Sequence, residues 1–300
     1  MKVSGWEAVF CSMQRIHLVE CPRDAIQGWP HRINIEQKLA YYRTLMQVGF
    51  DTLDIGSFVS PHSVPQMADT PLVIRQLESE GWSEQGTRLL VIVANERGAR
   101  DACSFASICD VGFPLSLSET FQRRNTGASI QSAWDRLHNI REITDSFGKR
   151  LVVYLSMGFG NPYGEDWSME RLVDFAGQLV DQLQIEVIAL SDTVGTATPT
   201  TIRQAMERLV PMYPSISIGA HLHATTEDVW GKAKAALEGG CLRLDGAIMG
   251  IGGCPMAQND LVGNLATETL VGGLEELGIW SVHDRGAWKE AQRLAAALFS

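Results

Sequence analysis

The sequence predicts one α/β domain, a (β/α)8 TIM barrel with a short C-terminal helical extension. Short β-branched or apolar runs alternate with longer segments of helical period, and eight of each can be found. Strands that alternate with helices form βαβ units and therefore a parallel sheet. Eight such units in about 260 residues match the size of a closed barrel better than that of a doubly wound sheet.

The strand pattern is the first observation behind this prediction. Each candidate strand is a run of five to eight residues that is rich in apolar side chains. The runs are Ile16–Cys21, Thr52–Gly56, Leu89–Val93, Ile108–Phe113, Leu151–Ser156, Val187–Ser191, Ile216–His223 and Leu242–Ile248.

The helical segments between the strands are the second observation. Pro199 stands just before one of them, and Glu227 and Asp228 place negative charge in the first turn of another. Gly148 and the Gly239–Gly240 pair are typical of helix ends. The candidate helices are Ile35–Val48, Pro71–Glu80, Glu96–Phe105, Ile130–Phe147, Met169–Leu183, Thr200–Val210, Glu227–Glu238 and Gly263–Leu277.

The domain organisation follows from what lies between these elements. No linker rich in Pro, Gly or Ser divides the chain, and no internal repeat is visible beyond the alternation of strand and helix. We therefore expect one catalytic barrel domain over residues 1–278. Residues 279–300 are expected to form a helical extension packed on the barrel.

Composition excludes several classes of protein. The net charge is −10, and no cluster of Lys and Arg suited to nucleic-acid phosphates occurs. No run of about eighteen apolar residues is present, which predicts no membrane span, and the N-terminus lacks the apolar core of a secretory signal. The six cysteines include no C-x-x-C pair, so we expect reduced thiols and a cytoplasmic protein.

The run ISIGAHLH, residues 216–223, carries the most informative motif. Side chains of a strand alternate between its two faces, so His221 and His223 emerge on the same side. Two neighbouring imidazoles suit one divalent cation, although the pair alone does not choose the ion. The alternative is that both are ordinary polar residues at a strand end.

Further polar residues converge on the histidines if the barrel prediction holds, because the carboxyl ends of all eight strands meet at one face. Asp24 follows the first strand and Asn264 follows a glycine-rich stretch. Oxygen ligands with imidazoles and no thiolate favour Mg²⁺ or Mn²⁺ over a structural zinc site. The alternatives are a helix cap or turn for Asp24 and a helix N-cap for Asn264.

Three more residues complete the candidate site. Arg23 offers a fixed fork of donors to a carbonyl or carboxylate, or forms an ion pair with Asp54 or Asp192. Asp192 is an alternative anchor for a histidine or for Arg23. The stretch GIGGCPMA, residues 250–257, matches no phosphate-binding fingerprint, and it predicts either a lid carrying Cys254 or a plain turn.

Several motifs together point to a known family. They are VECPRDAIQ at the first strand, GSFVSPHSVPQMAD after the second, SETFQRRN after the fourth, SDTVGTATP after the sixth, HLH at the seventh, and GIGGCPMA with GNLATE near the end. The chain resembles the 3-hydroxy-3-methylglutaryl-CoA lyase family, within a metal-dependent barrel superfamily that also holds isopropylmalate and homocitrate synthases. The resemblance runs from about Ile16 to Leu277.

The resemblance implies a role for each candidate residue. Four residues are implied to hold the divalent ion: Asp24, His221, His223 and Asn264. Arg23 is implied to polarise the substrate carbonyl and Cys254 to assist proton transfer. Asp54 and Asp192 match active-site carboxylates, and His221 is by analogy also the base.

The sequence departs from the family pattern around this site. Trp29 stands where an acid is expected, Ala224 replaces an aspartate, and Met256 replaces a lid tyrosine. The tail also ends about where the family places residues that touch the CoA nucleotide. We expect substrate contacts from four residues: Gln27, Trp29, Asn125 and Met256.

The implied reaction is cleavage of a carbon–carbon bond in a 3-hydroxy acid, usually a CoA thioester such as 3-hydroxy-3-methylglutaryl-CoA. One alternative is a condensing synthase that uses acetyl-CoA and a 2-keto acid through the same metal. A second alternative is a catalytically silent barrel that binds an acyl ligand. The family resemblance also implies a homodimer.

Overall fold

The computed structural model describes residues 15–82, 86–253 and 262–300. Eight parallel strands each pair with the next along the chain, and the eighth pairs with the first, so the sheet closes into a barrel. The strands are β1 His17–Glu20, β2 Thr52–Ser57, β3 Arg88–Ile92, β4 Ile108–Ser116, β5 Arg150–Ser156, β6 Val187–Asp192, β7 Ser217–Ala224 and β8 Arg243–Gly246. A two-residue strand, β9 Gly263–Asn264, pairs antiparallel with the end of β7.

Helices follow the strands and surround the barrel. In the described ranges they are α1 Pro22–Gln27, α2 Ile35–Val48, α3 Thr70–Ser79, α4 Glu96–Cys103, α5 Glu119–Thr126, α6 Ile130–Ser146, α7 Met169–Leu183, α8 Pro199–Met212, α9 Val229–Glu238, α10 Thr267–Glu276 and α11 Arg285–Leu298. Two short 3-10 helices span Pro65–Met67 and Ile248–Gly250. No helix among the described residues is long and apolar enough to cross a membrane.

Local sequence explains where many of these helices begin. The Asn34 side chain accepts from the Gln37 amide while the Gln37 side chain accepts from the Asn34 amide, and this capping box starts α2. The side chains of Ser129, Ser168 and Thr198 each accept from the amide three residues on, at the starts of α6, α7 and α8. These bonds satisfy amides that the first turn of a helix leaves free.

The apolar core of the described residues has one large cluster and two smaller ones. The large cluster lies between the strands and the helices and includes residues of α11 such as Trp288, which meets Phe50 edge to face with ring centroids 6.3 Å apart. A smaller apolar cluster, which includes Leu90, Val152 and Tyr154, comes from alternate residues of β3, β5 and β6. Because alternate strand residues point to opposite faces, this cluster fills the barrel interior.

The predicted fold is confirmed, with all eight strands and all eight helices present. The prediction that the last barrel helix begins at Gly263 is wrong, because Gly263 and Asn264 pair with β7 and α10 begins at Thr267. The short helices α1 and α5 were not expected. A helix of six or eight residues spans about two turns, too few for a periodic apolar stripe to identify it.

Candidate active site

The carboxyl ends of β1, β2 and β7 bring the candidate residues together. Pro22 begins α1 directly after β1, so Arg23 and Asp24 turn over the barrel mouth, and both are buried. The helix repeat places Asp24 and Gln27 on one face, and Gln27 Nε2 donates to Asp24 Oδ1 at 2.6 Å. A helix with no apolar stripe of its own thus aims three polar side chains at one point.

Arg23 is held between two carboxylates. Its Nε and Nη2 donate to Asp54 and its Nη1 donates to Asp24 Oδ1 at 2.9 Å, so the predicted ion pair with Asp54 is present. Burial lowers the Arg23 pKa, but the charges of Asp54 and Asp24 prevail and raise it above the usual value. Burial raises the pKa of Asp54 above its ordinary value, against the opposing charge of Arg23. Arg23 is therefore a permanently charged, fixed donor at the mouth.

Three ligand atoms of the predicted metal set converge. One atom from each of Asp24, His221 and His223 lies within 4.8 Å of the other two, and these three residues can hold a metal ion. The histidines point the same way because they are two residues apart on β7, and their ring centroids are 5.5 Å apart. The expectation that the HxH pair meets Asp24 is realised by this geometry.

Each histidine ring is fixed through its Nδ1. Nδ1 of His221 lies 3.3 Å from Asp245 Oδ2, and Nδ1 of His223 lies 3.1 Å from the Thr193 carbonyl oxygen. A carbonyl oxygen can only accept a hydrogen bond, so Nδ1 of His223 must be the donor. The neutral ring therefore carries its proton on Nδ1 and presents a bare Nε2. This arrangement is typical of metal-ligating histidines, whose second nitrogen is bound to a carboxylate or a carbonyl.

The residues present fit a divalent cation. Nε2 of His223 is buried and has no hydrogen-bond partner among the described residues, which is unusual for a buried polar atom. A cation at the point where the three side chains meet would satisfy it. Carboxylate and imidazole donors together suit such an ion.

The electrostatics of Asp24 and His223 favour the ligand forms. Burial raises the pKa of Asp24, but the charge of Arg23 and the two imidazoles prevail and lower it to about 2. Burial, followed by the charge of His221, lowers the pKa of His223 to about 4. Burial also lowers the pKa of His221, but Asp245 outweighs it and raises the pKa. Asp24 is thus ionised and His223 neutral at neutral pH.

Asn264 is brought to the site by β9, where it pairs in register with His223. Its Nδ2 donates to Asp24 Oδ2 at 2.8 Å and to the Ile251 carbonyl at 2.9 Å. A metal ligand would use the amide oxygen, which a half-turn of the terminal bond brings to the same place. The alternative role, a helix N-cap, is not what Asn264 performs, because α10 begins after Ala266.

The start of the glycine-rich stretch lies directly on these ligands. A Cβ on Gly252 would stand 2.4 Å from Asn264 Nδ2 and 2.9 Å from the Asp24 carbonyl oxygen, and its φ is +111°. Only glycine fits so close an approach in this conformation. Cys254 and Met256, the predicted lid residues, lie outside the described residues.

A cavity of about 460 Å³ opens above the site. Arg23, Asp24, His221 and His223 line its floor, and Gln27 and Asn125, two of the predicted substrate contacts, line its wall. The remaining wall mixes apolar and polar side chains, as small-molecule sites do.

Trp29 does not line this cavity, in contrast to the prediction. Its ring packs edge to face against Phe299 at 5.3 Å and against His31 at 6.3 Å. Trp29 follows the end of α1, and this turn directs it to the C-terminal end of the chain instead of the mouth. It therefore joins α1 to the residues after α11.

Asp192 also differs from expectation, because it contacts neither Arg23 nor a histidine side chain. Its carboxylate accepts from the amides of Thr196 and Ala197 and from Nζ of Lys232 at 2.9 Å. Lys232 donates in turn to the carbonyl oxygen of His223 at 2.7 Å. Asp192 thus acts on the site at one remove, by holding the ends of β6 and β7 together.

Sequence analysis missed three residues that support the histidines: Asp245, Thr193 and Lys232. Asp245 had a detectable signal, since a carboxylate inside the apolar run Leu242–Ile248 must face a polar partner. Thr193 acts through its backbone and Lys232 through a contact 40 positions away. Neither contact leaves a mark in the local sequence.

Comparison with known proteins agrees with this geometry. Residues 16–295 match the HMGL-like family. The hydroxymethylglutaryl-CoA lyase YngG of Bacillus subtilis (strain 168) is 31% identical over 261 residues, which cover 86% of this chain and 84% of that protein. The (R)-citramalyl-CoA lyase of Chloroflexus aurantiacus is 32% identical over 278 residues, which cover 89% and 86%.

Solved structures give the same result. The HMG-CoA lyase of Bacillus subtilis superimposes with a TM-score of 0.86 at 28% identity, over 95% of this chain and 94% of that one. An HMG-CoA lyase from Acinetobacter baumannii, in complex with coenzyme A and 3-methylmalate, gives a TM-score of 0.84 at 26% identity, over 95% and 91%. The chain is a carbon–carbon lyase by these relationships. It belongs to the HMGL-like family.

Proposed function

We propose that this chain cleaves a 3-hydroxyacyl-CoA thioester, such as 3-hydroxy-3-methylglutaryl-CoA to acetoacetate and acetyl-CoA, with Mg²⁺ or Mn²⁺ in its site. The observation that carries the proposal is the convergence of Asp24, His221 and His223 at the mouth of a barrel of this family. The CoA thioester is carried over from the named relatives, which are CoA lyases. The acyl groups named for these relatives differ, so the acyl group of this chain's substrate is set by the residues that line its own cavity.

Asp24, His221, His223 and, after rotation of its amide, Asn264 would hold the metal ion. When bound, such an ion supplies Lewis acidity to substrate oxygens and lowers the pKa of a bound hydroxyl. Carboxylate and imidazole ligands without a thiolate favour Mg²⁺ or Mn²⁺. The convergence of one atom each from Asp24, His221 and His223 supports this ligand set.

Arg23 supplies a fixed positive charge. Asp54 and Asp24 hold its guanidinium in place before substrate arrives, so little reorganisation is needed during the reaction. Arg23 lines the cavity. Its remaining N–H groups would donate to the substrate carbonyl oxygen on which negative charge develops. Asp54 thereby acts through Arg23.

The proton steps balance in a retro-aldol cleavage. A base removes the proton of the substrate 3-hydroxyl, the bond between C2 and C3 breaks, and a ketone and a thioester enolate form. The enolate carbon then takes a proton from Cys254 or from water. With Nδ1 of His221 directed at Asp245, its open lone pair is on Nε2, and this one atom would either hold the ion or take the hydroxyl proton.

Gln27 and Asn125 are proposed to orient the substrate. Both line the cavity, and Gln27 Nε2 is already bonded to Asp24. Substrate binding that weakens without loss of turnover in a Gln27→Ala or Asn125→Ala protein would support this role.

The homodimer and the cytoplasmic location expected from the sequence are also proposals. Sedimentation velocity tests the homodimer.

The test is product detection with purified, Mn²⁺-loaded protein and 3-hydroxy-3-methylglutaryl-CoA. We expect acetoacetate and acetyl-CoA in equal amounts from the unmodified protein and none from Asp24→Ala. Products formed at the same rate by both proteins would contradict the proposal. Metal binding without products from this or other 3-hydroxyacyl-CoA thioesters would also contradict it, and release of free CoA from acetyl-CoA and 2-keto acids would favour the condensing alternative.

A further inference from the structure

Two charged residues of β8 lie beneath the metal site and do not line the cavity above it. Arg243 and Asp245 are each 1% exposed, and they stand at alternate positions of the strand, so both point into the barrel. A buried charge is retained only where other groups compensate it. What they contact indicates what they do.

Asp245 contacts His221 because of the register of two strands. His221 of β7 pairs directly with Asp245 of β8, and both side chains face the interior. The backbone thus brings Asp245 Oδ2 to 3.3 Å from His221 Nδ1. An ionised carboxylate only accepts hydrogen bonds. It therefore selects the neutral tautomer, or ring form, of His221 that carries the proton on Nδ1. Nε2 of His221 is then left open toward Asp24 and His223.

Arg243 compensates the buried carboxylate. Its Nε lies 3.5 Å from Asp245 Oδ1, on the side away from His221 Nδ1. Room for the long side chain comes from Gly219 on β7, where a Cβ would stand 2.8 Å from Arg243 Cδ. The glycine at position 219 is therefore part of the same arrangement.

A second metal site is the competing explanation. Cys21, His221 and Asp245 also place ligand atoms within 4.8 Å of one another. A cation there would lie close to the Arg243 guanidinium, which already neutralises Asp245. It would also bind His221 through Nδ1. That nitrogen carries the proton that is donated to Asp245 and so has no free lone pair. The geometry therefore favours support of His221 over a second ion.

We propose that Asp245 and Arg243 are positioning residues that hold His221 with its proton on Nδ1 and its Nε2 presented to the metal site. The catalytic importance of this arrangement rests on the proposed function. The position of the proton on Nδ1 of His221 does not depend on that function. Partners of this kind typically change metal affinity about 10- to 100-fold when they are removed.

The first measurement uses metal-free protein with ¹⁵N-labelled histidine at pH 8.5. Side-chain NMR distinguishes the two neutral ring forms, and His221→Gln identifies the His221 signal among those of the seven histidines. We expect a protonated Nδ1 and a bare Nε2 in the unmodified protein. A protonated Nε2 on His221 in that protein would overturn the proposal without any variant.

Asp245→Asn tests whether Asp245 sets the position of the proton on the His221 ring. The asparagine amide can donate to Nδ1, which moves the proton to Nε2 and blocks the ligand atom. We expect that change of ring form and Mn²⁺ binding weakened about 10- to 100-fold by electron paramagnetic resonance titration. Asp192→Asn is the matched control, because Asp192 touches no histidine side chain, and it should leave the His221 ring form unchanged.

Gly219→Ala keeps the test informative if Asp245→Asn does not fold. The added methyl displaces Arg243 and leaves His221 and Asp245 chemically intact. We expect weaker Mn²⁺ binding than in the unmodified protein. Unchanged Mn²⁺ affinity in every one of these two variants that folds would overturn the proposal and leave the proposed function standing. Failure of the unmodified protein to bind Mn²⁺ would instead remove the metal-dependent function and leave the ring-form result to be judged alone.

Discussion

The two histidines of β7 are supported in different ways, although they are two residues apart on one strand. His221 rests on the side chain of Asp245, whereas His223 rests on the backbone carbonyl of Thr193. The carboxylate raises the pKa of His221 above its usual value, and burial lowers that of His223 to about 4. The two histidines therefore differ in their electrostatic surroundings, and those of His223 favour a neutral ligand.

The difference also decides how each support can fail. Asp245 can be removed by one substitution, but the Thr193 carbonyl is present whatever side chain stands there. The support of His223 depends instead on the pair Asp192 and Lys232, which joins the loop after β6 to the His223 carbonyl. One histidine is thus held by a charge, and the other by the path of the backbone.

Removal of His223 should have the largest effect. His223→Ala deletes the ligand whose Nε2 has no other partner among the described residues, so we expect at least about 100-fold weaker Mn²⁺ binding and loss of thioester cleavage. Titration calorimetry measures the binding. His138→Ala removes an exposed histidine as the control and should bind like the unmodified protein.

Lys232→Met should come next, because it breaks the backbone support of His223. It leaves the Asp192 carboxylate buried without its cation, which costs about 3–5 kcal/mol in the free energy of unfolding. Urea unfolding measures this cost. The double variant Asp192→Asn with Lys232→Met should recover part of the loss, and a double variant as unstable as the sum of both single changes would contradict the pairing.

Glu20→Gln extends the comparison to a buried carboxylate for which no ion pair is found among the described residues. Burial raises the Glu20 pKa to about 8, against the opposing bonds from Thr267 and the Ile248 amide. Between pH 4.5 and 8 the folded chain then holds a proton that the unfolded chain has lost, so the free energy of unfolding falls as pH rises. The variant should lack this decrease in the free energy of unfolding, which totals on the order of a few kcal/mol between pH 5 and 8.5. Urea unfolding across that pH range measures it. Parallel pH profiles for the two proteins would contradict a protonated Glu20.

Trp29→Ala should have the smallest effect on catalysis. Because Trp29 packs on Phe299 and does not line the cavity, we expect about 1–3 kcal/mol lower stability, with KM and kcat within about threefold of the unmodified protein. Thermal unfolding and steady-state kinetics measure the two effects. A KM raised tenfold or more, with kcat unchanged, would restore Trp29 to the substrate site.

The barrel and the convergence of the candidate metal ligands could be predicted because they follow from periodicity and from barrel topology. Alternation along Ile216–His223 places both histidines on one face, and barrel topology then brings Asp24 to them. The side on which Trp29 lies could not be predicted, because it depends on the six-residue helix α1. Asp192 was assigned to the wrong neighbours because Lys232 reaches it only in the folded chain.

His221 and His223 are proposed to bind a metal ion through their Nε2 atoms. The most direct test is electron–nuclear double resonance on Mn²⁺ bound to protein that carries ¹⁵N-labelled histidine. We predict couplings from two imidazole nitrogens at one Mn²⁺ per chain, with one coupling lost in His223→Ala. Mn²⁺ bound with no histidine coupling would contradict the account.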